Sequence, residues 1–279
     1  MDSMIGAINN RVSVRSYADR PIEPNEKQEL IKLLQSTREG PFGNEVRFTL
    51  IDLSEMERKE IKGLGTYGFI SGATLFIVSS IKDDVRAMED VGYCFEKVIL
   101  NATNMGLGTC WMGGTFRRAN FANRINIRED EIIPAVSPIG YQHDKKTIRE
   151  KLIRRFAGSD HRKPWEDLFF DGDMNKPLLM DSAGEYMVPL ECVRLGPSAS
   201  NNQPWRIVYS RQQGMFHFYL KRTRGYDKLY GRVDLQRIDM GIAMCHFELS
   251  SREKGLSGAW EVMKPSLDMG NAEYIVTWK

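Results

Sequence analysis

An excess of charge of one sign is missing from this sequence. Its 279 residues carry 39 Lys and Arg against 37 Asp and Glu, a net charge of +2. No strong long-range field follows, so nucleic acid and anionic membrane surfaces are not expected as partners. The basic pairs Arg154-Arg155 and Arg162-Lys163 are local features that need their own reading. Cysteine is scarce. Cys94, Cys110, Cys192 and Cys245 stand far apart with no C-x-x-C pair, and reduced, buried thiols are the expectation. Four histidines without ligand spacing give no basis for a protein-bound metal. No apolar run is long enough to cross a bilayer. The longest, Phe69 to Ser80, is rich in Ile, Val, Phe and Thr and reads as a buried strand. Met1 to Gly6 lacks a charged region followed by an apolar one, so no signal peptide is read there and a cytoplasmic location is expected. A Rossmann G-x-G-x-x-G is also missing. Gly63-Leu-Gly65-Thr-Tyr67-Gly68 has some of its glycines but follows a charged, helix-like stretch instead of a strand, which argues against a dinucleotide loop.

What is present is a globular composition, 42% hydrophobic and 27% charged, in a chain long enough for one large domain or two ordinary ones. It also repeats itself. Asp90 to Trp111 lies without gaps over Asp239 to Trp260, an offset of 239 − 90 = 149. Asp90/Asp239, Gly92/Gly241, Leu100/Leu249, Gly106/Gly255, Leu107/Leu256 and Trp111/Trp260 are then identical. Both copies place apolar residues at helical spacing, and both end in a glycine suited to the left-handed position after a helix. A weaker match sets Asn44…Phe48 over Asn201…Trp205, each an Asn four residues before an aromatic that opens a strand. The runs Ile132 to Val136 and Tyr274 to Trp278 then read as buried strands closing each copy. Phe170 to Pro177 has the Gly, Asp, Asn and Pro content of a connector. The pattern predicts an α+β chain of two related halves, residues 1–165 and 166–279, packed through paired long helices.

Three motifs resemble those of the FMN-dependent nitroreductase family. Arg11-Val12-Ser13-Val14-Arg15-Ser16-Tyr17 is similar to its R-x-S-x-R-x-[FY]. Gly196-Pro197-Ser198-Ala199-Ser200-Asn201-Asn202-Gln203-Pro204-Trp205 is similar to A-P-S-x-x-N-x-Q-P-W, with Gly196 in place of Ala. Gly106-Leu-Gly-Thr-Cys-Trp111-Met112-Gly113-Gly114 is similar to G-L-G-T-x-W-x-G-G. The resemblance covers nearly the whole chain. It implies a fold that is a homodimer in the family, with each flavin between subunits. Here the first half keeps the arginine arm and the W-x-G-G turn but carries Gly40-Pro41-Phe42-Gly43-Asn44 where P-S-x-x-N is expected. The second half keeps P-S-x-x-N but lacks the arm and runs Trp260-Glu261-Val262. The surviving parts complement each other, so one FMN per chain is expected between the halves of an intramolecular pseudo-dimer, and a monomer in solution.

The resemblance implies a flavin site made of Arg11, Val12, Ser13, Arg15, Trp111, Met112, Gly113, Gly114, Arg162, Lys163, Pro197, Ser198, Ala199, Ser200 and Asn201. Arg11 is the expected phosphate partner, Ser13 adds a hydroxyl, and Arg15 is expected beside the pyrimidine edge. Arg162 or Lys163 sits where the family places a further basic residue near the phosphate; a solvated turn is the alternative. Gln203 and Trp205 are expected to hold their own loop, and Trp111 to pack in the core because Trp260 repeats it. Acceptor-facing loops are expected at 55–70 and 221–237. The implied activity is hydride transfer from transiently bound NADH or NADPH to the flavin and on to a small-molecule electron acceptor such as a nitroaromatic or quinone, in a ping-pong cycle. Another flavin reaction (dehalogenation, ene reduction) and a non-catalytic flavin-binding or sensing role stand as alternatives.

Overall fold

The computed structural model describes residues 3–56, 70–114, 116–143, 161–223, 226, 231–263, 265 and 270–279. Two antiparallel-rich sheets flank a central pair of long helices. The chain opens with α1 (Met4–Asn10), capped by Ser3, whose Oγ accepts from the Gly6 amide at 2.8 Å. Helix α2 (Pro24–Ser36) starts on a proline, which loses nothing there because that amide has no intrahelical partner. The first sheet holds β1 (Arg47–Asp52), β2 (Leu75–Lys82), β3 (Gly108–Thr109), β4 (Glu131–Ile132) and β5 (Val136–Gly140). Its order is β1-β2-β5-β3, with β4 also paired to β2. The second sheet holds β6 (Phe169–Asp171), β7 (Trp205–Ser210), β8 (Met215–Leu220), β9 (Trp260–Glu261) and β10 (Glu273–Trp278), in the order β6-β7-β8-β10-β9. Among the described strands, β6 alone runs parallel to its neighbour, β7. Further α-helices are α3 (Ala87–Asn104), α4 (Arg118–Ile125), α5 (Met187–Leu195) and α6 (Leu235–Glu253).

Helices α3 and α6 are the ones predicted from the repeat, and they pack against each other. Their crossing is set by glycine. A Cβ at Gly92 would lie 2.0 Å from the Ile238 carbonyl oxygen, and one at Gly241 would lie 1.9 Å from that of Glu89. With no side chain at either position the backbones touch directly. Gly106 and Gly255, just past the two helices, take φ of +75° and +76°, the left-handed turn expected of them. Between the helices lies a buried polar cluster. Glu96 accepts from Trp111 Nε1 at 2.6 Å and faces His246 Nε2 at 2.9 Å, while His246 Nδ1 donates to the Cys192 carbonyl at 2.7 Å.

Some local expectations shift. The strand read from Phe69 begins at Leu75. The run Ile132–Val136 is not one strand: β4 ends at Ile132 and β5 starts at Val136, with Pro134, which lacks an amide to donate, between them. The connector's first residues, Phe170 and Asp171, belong to β6, because their amides and carbonyls extend the exposed edge of β7. The four cysteines are free and buried, as expected. Among the described residues no helix is long and apolar enough to cross a membrane, and no group of three or more His, Cys, Asp or Glu gathers as a metal site. The pair Arg154-Arg155, the Gly63–Gly68 segment and most of the 55–70 loop lie outside the described residues.

Candidate functional site

The arm after α1 lies in extended form against the first sheet. Val14 N donates to the Thr109 carbonyl at 2.8 Å and Tyr17 N to that of Ser71 at 2.9 Å. Gly108 lets the arm approach, since a Cβ there would sit 2.7 Å from Val14 Cγ2. Hydrogen bonding on one edge and Val14 packing inward fix the arm, and residues 11, 13 and 15 share the opposite side, as alternate residues of an extended chain must. The turn after β3 is fastened by Met112 N to the Val136 carbonyl at 3.0 Å, and by Arg118, which donates to the carbonyls of Gly113 and Ile133. Gly113 is in contact with α6: a Cβ there would lie 2.5 Å from Leu235 Cδ2.

From the other side comes the loop between α5 and β7. Ser200, Asn201 and Gln203 all have positive φ (51°, 54° and 43°), each at a cost of about 1 kcal/mol. Its neighbours fix this strained shape. Asn201 Nδ2 donates to the His161 carbonyl at 2.6 Å, and Arg162 Nη1 donates to Asn201 Oδ1 at 3.0 Å. Gln203 joins three points, accepting from Lys163 N at 2.7 Å, donating to the Arg194 carbonyl at 2.8 Å and to Ser198 Oγ through its own amide at 2.9 Å. The Ala199 amide donates to Asp239 Oδ1 on α6 at 2.9 Å.

Arm, turn and loop meet around one open cavity enclosing about 1020 Å³, solvent at its mouth included. Of the residues predicted for the site, all but Val12, Met112 and Lys163 line it. Those three depart for local reasons. Val12 alternates away from its lining neighbours and is 39% exposed. Met112 is buried in the core beneath the turn, held by its backbone pairing with Val136. Lys163 does not line the cavity; burial first, and then the like charge of Arg206, lower its ammonium pKa below the ordinary value. Of the basic pair, Arg162 is the residue at the cavity. Trp111 lines the cavity while its indole is tied to Glu96 and lies tilted by 56° against Phe95, ring centroids 4.9 Å apart.

The lining has buried polar atoms without protein partners. Arg11 Nη1, Arg15 Nη1 and Asp239 Oδ2 are enclosed and make no hydrogen bond among the described residues. Arg11 is nonetheless anchored from behind, its Nε 3.8 Å from Glu96 Oε1. Buried groups of this kind each cost on the order of 1–3 kcal/mol unless something else satisfies them. Leu235, Ile238, Asp239 and Ile242 on α6, with Ala135 and Tyr226, also line the cavity and were not among the residues predicted to bind the cofactor. Tyr226 and Leu235 fall within the 221–237 segment expected to face an acceptor; 224, 225 and 227–230 lie outside the described residues.

Residues 3–251 match the family described as "Putative TM nitroreductase". The chain belongs to that nitroreductase family. A solved "putative nitroreductase" of Thermotoga maritima superposes with a TM-score of 0.63 over 99% of this chain and 93% of its own, at 19% sequence identity, so the two share a fold. A "Putative NADH dehydrogenase/NAD(P)H nitroreductase" of Archaeoglobus fulgidus is 25% identical over 177 residues, 59% of this chain and 100% of its own. An "FMN-dependent Nitroreductase" of Clostridium difficile matches 51% of this chain and 90% of its own at 18% identity and a TM-score of 0.42. The nitroreductase family assignment made from the three motifs therefore holds, and the α+β architecture is that of the Thermotoga nitroreductase fold.

Proposed function

We propose that this nitroreductase-family chain binds one FMN in the cavity between its halves and uses NADH or NADPH to reduce a small electrophile such as a nitroaromatic or quinone. The observation that carries this reading is the pair of buried, unpartnered guanidinium nitrogens, Arg11 Nη1 and Arg15 Nη1, in one cavity with the 196–203 loop. That donor set fits FMN, which brings a phosphate dianion and, once reduced, a negative pyrimidine edge. Arg11 and Ser13 would hold the phosphate and ribityl end, Arg15 would face the ring's pyrimidine edge, and Pro197, Ser198 and Ala199 would wall the ring. Gly113 and Gly114 let the turn's backbone come close to the ring. When bound, the flavin supplies hydride acceptance and delivery at N5. The residues of this chain bind it, orient it and neutralise its charge.

The same reading takes residues 1–165 and 166–279 as related halves of a pseudo-dimer with a single site, and the chain as a monomer. Support comes from the strand orders β1-β2-β5-β3 and β7-β8-β10-β9, in which corresponding strands follow each other alike. At the position opposite the cavity, Phe42 and Asn44 amides close onto Asp90, and Arg86 lies 4.7 Å over the Phe42 ring. On this reading those contacts leave that position without the open loop that lines the cavity in the second half.

The test is the flavin content of the purified protein. About one FMN per chain, bleached anaerobically by NADH or NADPH and reoxidised by a nitroaromatic or quinone, is the expected result. Bound flavin that neither nicotinamide reduces would favour a non-catalytic flavin-binding role, and no uptake from excess FMN would overturn the proposal.

A further inference from the structure

Asp239 and its counterpart Asp90, 149 residues earlier, occupy the same place on their helices but meet different surroundings. Asp90 is fully served. Its Oδ1 accepts from the Phe42 amide at 3.0 Å, and its Oδ2 accepts from the amide and the side chain of Asn44, both at 2.9 Å. Gly40 closes over it, since a Cβ there would lie 2.2 Å from Asp90 Oδ1. Asp239 has one donor, the Ala199 amide on Oδ1. Its Oδ2 is buried, makes no hydrogen bond and belongs to a side chain lining the cavity, although the residue is only 3% exposed.

Resting on the flavin reading above, we infer that Asp239 is a direct contact of the bound cofactor: Oδ1 anchors the 196–203 loop, and Oδ2, carrying a proton, donates a hydrogen bond to an acceptor oxygen or nitrogen of FMN. A carboxylate with a single amide donor in so enclosed a place would carry an uncompensated charge, which is far more costly than a neutral acid. Burial accordingly raises the Asp239 carboxyl well above the usual carboxylate range, against which the Ala199 amide hydrogen bond works in the opposite direction. A neutral acid bound this way has one O–H left to satisfy, and flavin offers carbonyl oxygens and ring nitrogens as acceptors. The donor also suits the negative charge that the pyrimidine edge gains on reduction, where an ionised aspartate would oppose it.

The test compares wild type, Asp239→Asn and Asp239→Ala in FMN binding, read by quenching of flavin fluorescence, with thermal unfolding measured beside it. The amide keeps an acceptor for Ala199 and an N–H donor toward the cavity. The expected result is an FMN Kd within about threefold of wild type for D239N and at least tenfold weaker for D239A. FMN binding by D239A within twofold of wild type would overturn the contact while leaving the flavin reading intact. A loss in D239N as large as in D239A would overturn the donor role. A wild-type chain that takes up no FMN would remove the flavin reading and this inference with it. If D239A does not fold, difference infrared spectra of wild type decide: the protonated-acid carbonyl band, absent from D239N, should shift on adding FMN, and a band that is missing or unmoved would overturn the assignment.

Discussion

Gly92 and Gly241 face each other where α3 and α6 cross: a Cβ added to Gly92 would lie 3.0 Å from the Gly241 Cα, besides striking the Ile238 carbonyl. The obstacle is backbone on both sides, so no side-chain rotation relieves it. Gly92→Ala and Gly241→Ala should each cost about 3 kcal/mol, the upper part of the overpacking range. Gly255→Ala is the control. It has the same left-handed φ problem as any residue at +76° but no atom within 4 Å, so it should cost only about 1 kcal/mol. Urea unfolding of the three variants measures the difference; equal losses would mean that the crossing is not as close as described.

The buried Glu96 predicts an acid limb. Its hydrogen bond to His246, the charges of His246 and Arg11 and the Trp111 indole outweigh desolvation and hold its carboxyl below the ordinary 4.5. A depressed folded-state pKa stabilises the fold above the unfolded value and loses that contribution as pH falls through the folded one. The wild-type unfolding midpoint should therefore drop as pH falls below about 4.5, and Glu96→Gln should lack that part of the drop. At neutral pH the variant should be about 3 kcal/mol less stable, because Arg11 loses its buried counter-charge and Trp111 and His246 lose a carboxylate partner. Thermal unfolding from pH 3 to 7 checks both.

Arginines at the cavity and the lysine beside it should separate cleanly. Arg11→Ala should weaken FMN binding about 10- to 100-fold, the scale of a charge-assisted contact. Lys163→Ala should change it less than about twofold, since that side chain does not line the cavity and weak surface interactions are small. Isothermal titration of FMN into each variant is the measurement, and the reverse order would move the phosphate site to Lys163.

Thiol chemistry should be slow in the native state. Burial pushes the Cys94 thiol up to about 12 and the Cys192 thiol up to about 11, and all four cysteines are enclosed. Little thiolate exists at neutral pH and little of it is accessible. An aromatic disulfide reagent should label no cysteine within minutes in buffer and all four in denaturant.

Much of this protein was legible in its sequence. The spacing of apolar residues marked α3 and α6, and Gly106 and Gly255 marked their ends, because helix periodicity and left-handed turns are local properties of a chain. The motifs carrying Arg11, Ser13, Arg15, Gly113 and the Pro197–Asn201 loop pointed to residues that do line one cavity, although they lie far apart in the chain. Val12, Met112 and Lys163, named with their motifs, do not line that cavity: Val12 alternates away along the extended arm and Met112 packs in the core beneath the turn. Asp239 was not among the predicted site residues. It repeats as Asp90, and identity between the copies says nothing of the donors around each. Residue identity fixes what a side chain can offer; the donors around it fix what remains unmet. Asn44 and the closing Gly40–Phe42 turn satisfy one aspartate, the arrangement around Ala199 leaves the other with an open oxygen, and that difference exists only in the tertiary structure.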